Sequence, residues 1–365
     1  MDVINPKDSI EIILKKVNKN DVICIPDHFN LPGIPDYLTI KKILSTNKTE
    51  LDHIILDNPN KLFYFFSHPQ FVDHQPNNCV FLPLYYICQM WQHKQYKGQN
   101  YEFDSNIKKY SVCTVGGRNR WHRVLLSFWC GSYLDKNNFC YTMMENMDLT
   151  QIQYLISNSK TNIKLDKKKF LPKKYVDDLE LPLRYGAVDD ISYQDPLTTF
   201  EYFIPNITGQ SYINLITEAQ SLELHGGLTE MSLRPFLSYN FPLWLGSYKH
   251  HKLFRKLGFD VFGDVIKHNH LNQLDRVQSV IQGLEDNKHL FYDIKNCHEQ
   301  YMINKSRLIH NKQLALDYNH FFDFFRKEMT SFFKYFSKSN LTWVDVDLHP
   351  DFLQLCIEKY IDKNK

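Results

Sequence analysis

Apolar residues come in short dense runs separated by polar stretches. Asp21-Val22-Ile23-Cys24-Ile25 reads as a buried strand, and Lys61 to Phe66, KLFYFF, as another. Runs this short, bounded by turn residues, fit strands of a parallel sheet covered on both faces. Pro26 to Pro35 reads as turn and loop, and Tyr37 to Ser45 has helical spacing. Cys79 to Trp91, CVFLPLYYICQMW, is either a strand passing into a helix or one buried segment, which periodicity alone does not separate. The polar stretch Gln92 to Asn106 is the best linker candidate.

A second α/β pattern follows. Tyr110 to Val115 is a strand, Gly116 to Arg120 a loop, Trp121 to Cys130 an apolar helix and Asn138 to Met143 a further strand. Asn158 to Lys174 is a lysine-rich surface excursion. Tyr212 to Leu222 reads as helical, as do residues 229–239, with Pro235 kinking that helix or sitting in its opening turns. Phe241 to Leu245 is a strand; Tyr248 to Leu257 is a helix stopped by Gly258 in a left-handed cap. Leu314 to Phe336 reads as one long Phe-rich amphipathic helix. Alternating strands and helices predict parallel sheets with helices on both faces.

At 365 residues the chain is too long for one core of ordinary size and predicts two domains. Its 43% hydrophobic and 23% charged residues mark a globular chain. A net charge of +2 provides no global field for nucleic acid, which argues against that partner. No apolar run reaches the ~18 residues of a membrane span, and the N-terminus has no signal-peptide core. The eight cysteines lack any CxxC pair, which favours reduced, buried thiols. These features predict a cytoplasmic enzyme, in a host's cytoplasm if the chain is viral.

Arginine is scarce: nine residues, three of them Arg118, Arg120 and Arg123. That cluster lies in GGRNRWHRV, between a predicted strand and a predicted helix. Glycines admit close backbone approach, guanidinium groups match phosphate oxygens in pairs, and a helix start adds partial positive charge. The segment therefore reads as a diphosphate cradle or as a basic surface turn. In LTEMSLRP, Thr229 can cap the helix and Glu230 sits favourably against its positive end. Arg234 falls on the same face as Glu230, where the two could serve a ligand or pair with each other on a solvated helix.

Taken in order, these segments resemble a GT-B glycosyltransferase-like family of viral and microbial genomes, related to the α-1,3-fucosyltransferases. Its Asn-Arg-x-x-x-x-His-Arg element is similar to Gly117-Arg118-Asn119-Arg120-Trp121-His122-Arg123, with Tyr133-Leu134-Asp135 behind it. Leu215-Ile216-Thr217-Glu218 is similar to a further Thr-Glu. The Thr-Glu-Lys-Thr-x-Lys-Pro motif resembles Thr229 to Pro235, followed by Phe241 to Gly246, Leu257-Gly258-Phe259 and Asp275-Arg276. The likeness covers roughly residues 108–315.

The resemblance implies two Rossmann-like domains with a cleft between them. Residues 1–106 would form the acceptor-side domain and 107–300 the donor domain, with the helices of 301–365 crossing back to the first. It implies transfer of a sugar from a nucleotide-diphosphate-sugar to a hydroxyl of a glycan or glycoconjugate, inverting, with no metal or other cofactor. Arg120, Arg123, Glu218, Thr229, Glu230 and Arg234 would bind the donor. An acceptor base should come from the first domain; Asp27, His28 and His68 follow predicted strands there and are the candidates. Asp345-Val346-Asp347 has the spelling of a metal motif but lies beyond the donor elements. The family's lysine after Thr-Glu is Met231 here, and its second lysine is Arg234. Either Arg234 and the arginine cluster supply the missing charge, or activity is reduced or lost, leaving a protein that binds nucleotide or glycan without turnover. A glucosyltransferase acting on modified DNA is a third reading, which the near-neutral charge disfavours.

Overall fold

The computed structural model describes residues 1–4, 8–25, 50–66, 76–95, 102–115, 125–126, 129–130, 133–134, 138–142, 206–217, 228, 230–245, 248–273, 275–342, 346 and 348–361. It is a mixed α/β structure with two parallel sheets. The first elements are β1 (Asp2–Val3), α1 (Ile10–Lys19), β2 (Val22–Ile25), α2 (Glu50–Asp57), β3 (Leu62–Phe65), β4 (Cys79–Phe81) and α3 (Leu84–Gln95). Then come β5 (Tyr110–Val115), β6 (Phe139–Thr142), α4 (Asn206–Gly209), β7 (Ser211–Ile216), α5 (Glu230–Leu237), β8 (Phe241–Trp244) and α6 (His250–Lys256). The rest is helical: α7 (Arg276–Tyr292), α8 (Ile294–Ile303), α9 (Lys305–Leu316), α10 (Tyr318–Phe324), α11 (Arg326–Phe336) and α12 (Pro350–Tyr360). The chain divides into unit 1, Met1–Lys97, Glu223–Glu230 and Leu316–Lys365, and unit 2, Gly98–Leu222 and Met231–Ala315.

In unit 1 the strands lie in chain order, β1-β2-β3-β4, every pair parallel. Right-handed crossovers place the connections of such a sheet on one face. The core cluster joins Ile13 and Val17 of α1 and Ile54 and Ile55 of α2 to Ile23, Ile25, Phe63 and Phe65 of the strands. Ser9 starts α1 by accepting a hydrogen bond from the Ile12 N–H, and Lys16 and Lys19 occupy its last turn, where the helix dipole favours cations. Side chains alternate along a strand, so Tyr64 and Phe66 serve the opposite face. There the Tyr64 hydroxyl donates to Ser331 at 2.8 Å, and both rings meet Phe332 edge-on at 5.3 and 5.1 Å. Phe81 meets Phe325, Tyr86 meets Phe321 and Trp91 meets Phe352. The second face of this sheet is thus closed by α10–α12, from the far end of the chain.

The expected long helix from Leu314 to Phe336 is instead three pieces. Asp317 breaks the run by turning its carboxylate to the His320 N–H, a helix-start bond, and Phe325 interrupts it again outside the helical region. Cys79 to Trp91 resolves into strand and helix, divided at Leu82-Pro83.

In unit 2 the order is β6-β5-β7-β8, again all parallel. Here Tyr212 to Ile216 is strand β7, not the start of a helix. SYINLI is buried at every position, and a strand covered on both faces carries the same unbroken apolar run as a buried helix segment. Residues 218–222 of that expectation lie outside the described residues, as do the helix of 37–45 and the excursion of 158–174. Gly258 ends α6 with φ 94°. The Phe259 N–H reaches Phe254 O and the Gly258 N–H reaches Arg255 O, while the Phe254 and Phe259 rings meet at 5.5 Å. This is the bonding of a Schellman cap with its apolar contact. Among the described residues seven cysteines are buried outside any disulfide. Among the described residues no helix is long and apolar enough to cross a membrane.

Candidate functional site

Strand order decides where a ligand site belongs. From β5 the chain goes to β6 on one side, then to β7 on the other side of β5, then outward to β8. The winding reverses between β5 and β7, and in open parallel sheets ligands bind in the crevice at the carboxyl ends of the strands flanking that reversal. Among the described strands of unit 1 there is no reversal.

The chain leaves β5 at Val115 directly into Gly116–Val124, and leaves β7 at Ile216 toward Glu218. Arg120, Arg123, Glu218 and Thr229 lie outside the described residues, as do Asp27, His28, His68, Asp345 and Asp347. Glu230 is the first residue of α5, with its side chain outside the described set. Arg234 is described.

Helix α5 is not the solvated helix on which an exposed Glu–Arg pair would sit, for every side chain from Met231 to Ser238 is buried. Arg234 is 4% exposed, and its guanidinium makes no hydrogen bond or ion pair with a described residue. Its charge acts on Cys113 of β5. Burial pushes that thiol up to about 11, against the pull of Lys108 and Arg234. A buried guanidinium needs a counter-charge, and the described residues supply none; the side chain of Glu230, one turn earlier, lies outside them. Met231, likewise one turn before Arg234, is 7% exposed. Met231 therefore occupies a dry position, where an ammonium group would have to shed its water.

Beyond β8 lies a group that the sequence reading passed over. Four of the sixteen histidines fall between residues 250 and 270, and His250, His251, His268 and His270 are all buried. His270 donates from Nε2 to Trp244 O at 2.7 Å, receives the Ser279 hydroxyl on its carbonyl, and abuts Gly283 of α7. A methyl at Gly283 would come within 2.7 Å of the ring. His268 donates from Nε2 to Val261 O at 2.8 Å and stacks on His251 with centroids 5.5 Å apart. Burial holds His251 down to about 3 and His268 to about 4. The signal in the sequence was the clustering of His-His at 250–251 with His-x-His at 268–270.

At the opposite end of the sheet, Lys108 precedes β5 and is buried. Its Nζ donates to the carbonyls of Ser211 (2.7 Å), Ser238 (3.2 Å) and Tyr239 (3.4 Å) and lies over the Tyr301 ring. Three carbonyls match the three N–H groups of an ammonium, while burial pushes the amine down to about 7. Asn240 adds bonds to Thr208 O and Ser211 O. This cluster ties the starts of β5, β7 and β8 together. Among the described residues no group of three or more His, Cys, Asp or Glu is placed to hold a metal ion. Comparison of the chain with protein-family models, with curated proteins and with solved structures finds no match.

Proposed function

We propose that the chain is a glycosyltransferase on the GT-B plan, moving a sugar from a nucleotide-diphosphate-sugar to a hydroxyl of a glycan or glycoconjugate, inverting and without a metal, in the cytoplasm. The observation that carries this reading is Arg234, a buried guanidinium lacking a partner among the described residues, in the helix that follows β7. The topology supports it, because the arginine-bearing segment 116–124 follows β5 and Glu218 follows β7, the two strands at the winding reversal. Departure of a nucleoside diphosphate builds negative charge on phosphate oxygens. Pre-set cations in a water-poor site lower that barrier because they need no reorganisation. In this reading Arg120, Arg123 and Arg234 hold the diphosphate, while Thr229, Glu230 and Glu218 accept hydrogen bonds from ribose or sugar hydroxyls. Asp27, His28 or His68 takes the acceptor's proton.

The buried Met231 favours a second reading, in which the fold binds nucleotide or glycan without turnover. Thermal-shift screening with GDP, UDP, ADP, CMP and their sugars, on the native chain and on Arg123→Ala, tests the donor site. A nucleotide at a hundred times its dissociation constant adds ~2.7 kcal/mol of stability. A shift with one base, lost in the variant, supports the site and names the nucleotide; no shift with any of them sinks it. Sugar release or transfer from the bound donor then separates the enzyme from the binding protein.

A further inference from the structure

We propose that the stacked His251–His268 pair, with Lys249, Lys252 and Arg255 around it, is a second, proton-coupled site in unit 2 that binds a phosphate- or sulfate-type oxyanion. The first ground is unmet hydrogen bonding. Both rings are more than nine-tenths buried, and neither Nδ1 has a hydrogen-bond partner. The bond from His268 Nε2–H to Val261 O fixes that tautomer, so Nδ1 is the atom that takes up a proton and then becomes a donor.

The second ground is charge. The charged groups acting on His251 are Arg255, Lys252 and Lys249 from α6 and its start, all positive, and His268 from the facing segment opposes a second proton on the pair. Arg255 also acts on His268. The two carboxylates of the 258–268 segment, Asp260 and Asp264, are engaged by Arg307 of α9. From β8 the neighbour is the Trp244 indole, and His270 stands beside His268. Lys252 and Arg255 are exposed, so an ion meets them from solvent.

Protonating either ring alone adds charge to a buried, already positive cluster. An oxyanion removes that obstacle, since it supplies the missing negative charge and accepts the new N–H donors. Ion and proton therefore bind together, each favouring the other. The site lies past β8, one strand outward from β7 and the winding reversal, and does not depend on the donor reading.

The test is sulfate titration of the full chain at constant ionic strength from mildly acidic to neutral pH, with the histidine ring resonances followed by NMR. Uptake of one proton with the ion tightens binding about tenfold for each unit of falling pH. Sulfate should raise the titration midpoints of both rings, and H251Q should abolish the pH dependence while leaving the fold intact. If H251Q does not fold, Arg255→Gln, an exposed change, should weaken sulfate binding without altering the ligand-free spectrum. Absence of sulfate binding at mildly acidic pH, binding independent of pH, or an unchanged pH slope in H251Q would each overturn the proposal.

Discussion

Among the described residues the two sheets have the same number of strands and the same parallel sense, yet they bury different things. Of the buried polar and charged residues, Gln89 and Gln92 belong to unit 1, whereas nineteen, from Lys108 to Asn311, belong to unit 2. The described parts of the units are of similar size, so length does not explain the contrast. Strand order explains part of it. A sheet wound in one direction places its connections on one face, and unit 1 closes its other face with the apolar rings of α10–α12. A sheet that reverses direction has a crevice where the windings part. The buried polar groups of unit 2 are spread wider: Lys108 and Asn240 tie the strand starts together, and the histidine pair lies past β8. Among the described residues unit 1 is an apolar frame, and unit 2 holds most of the buried polar groups.

The contrast is most easily broken in the apolar frame. Phe332 is fully buried and meets Tyr64, Phe66, Phe333 and Phe336, so Phe332→Ala should cost about 3–5 kcal/mol, read as a lower urea midpoint. A cost below about 1 kcal/mol would mean that the C-terminal helices do not close the sheet. In unit 2, Gly283→Ala should destabilise by roughly 1–3 kcal/mol. Alanine favours a helix by about 1 kcal/mol over glycine, so a loss here isolates the clash with the His270 ring.

Acid should separate the units. His251 and His268 titrate well below the ordinary histidine value because burial disfavours their charged forms. Between that ordinary value and the folded ones the unfolded chain binds more protons. Their contribution to stability is therefore full above about pH 6.5 and is lost as pH falls toward about 4. Hydrogen exchange should show unit 2 loosening over that window before unit 1, and H268Q should flatten the dependence. The smallest effect belongs to Tyr64→Phe, which removes the bond to Ser331 and should cost about 1 kcal/mol.

The strands were legible where a short apolar run met turn residues, as in Val22–Ile25, Leu62–Phe65, Tyr110–Val115 and Phe241–Trp244. Gly258 was legible because few other residues adopt its backbone angle. Strand β7 was misread because a fully buried strand has no alternation to reveal it. The breaks at Asp317 and Phe325 were hidden by an apolar period that runs on through them. The histidine pair and Lys108 were passed over for a different reason: their environment is made by segments distant in sequence. Lys108 meets carbonyls more than a hundred residues away. The arginine cluster was conspicuous in the sequence, and Arg234 was singled out there as well, but its burial was not legible.

The most direct test of the proposed donor site is the melting temperature of Arg234→Met, with and without any nucleotide found to stabilise the native chain. A buried charge that lacks a partner within the fold is costly, and an apolar side chain of similar length would then fit the same space better. The account predicts a variant that melts higher than the native chain when free and no longer responds to nucleotide. A variant that melts lower when free and still responds fully would show that Arg234 is structural and that the site lies elsewhere.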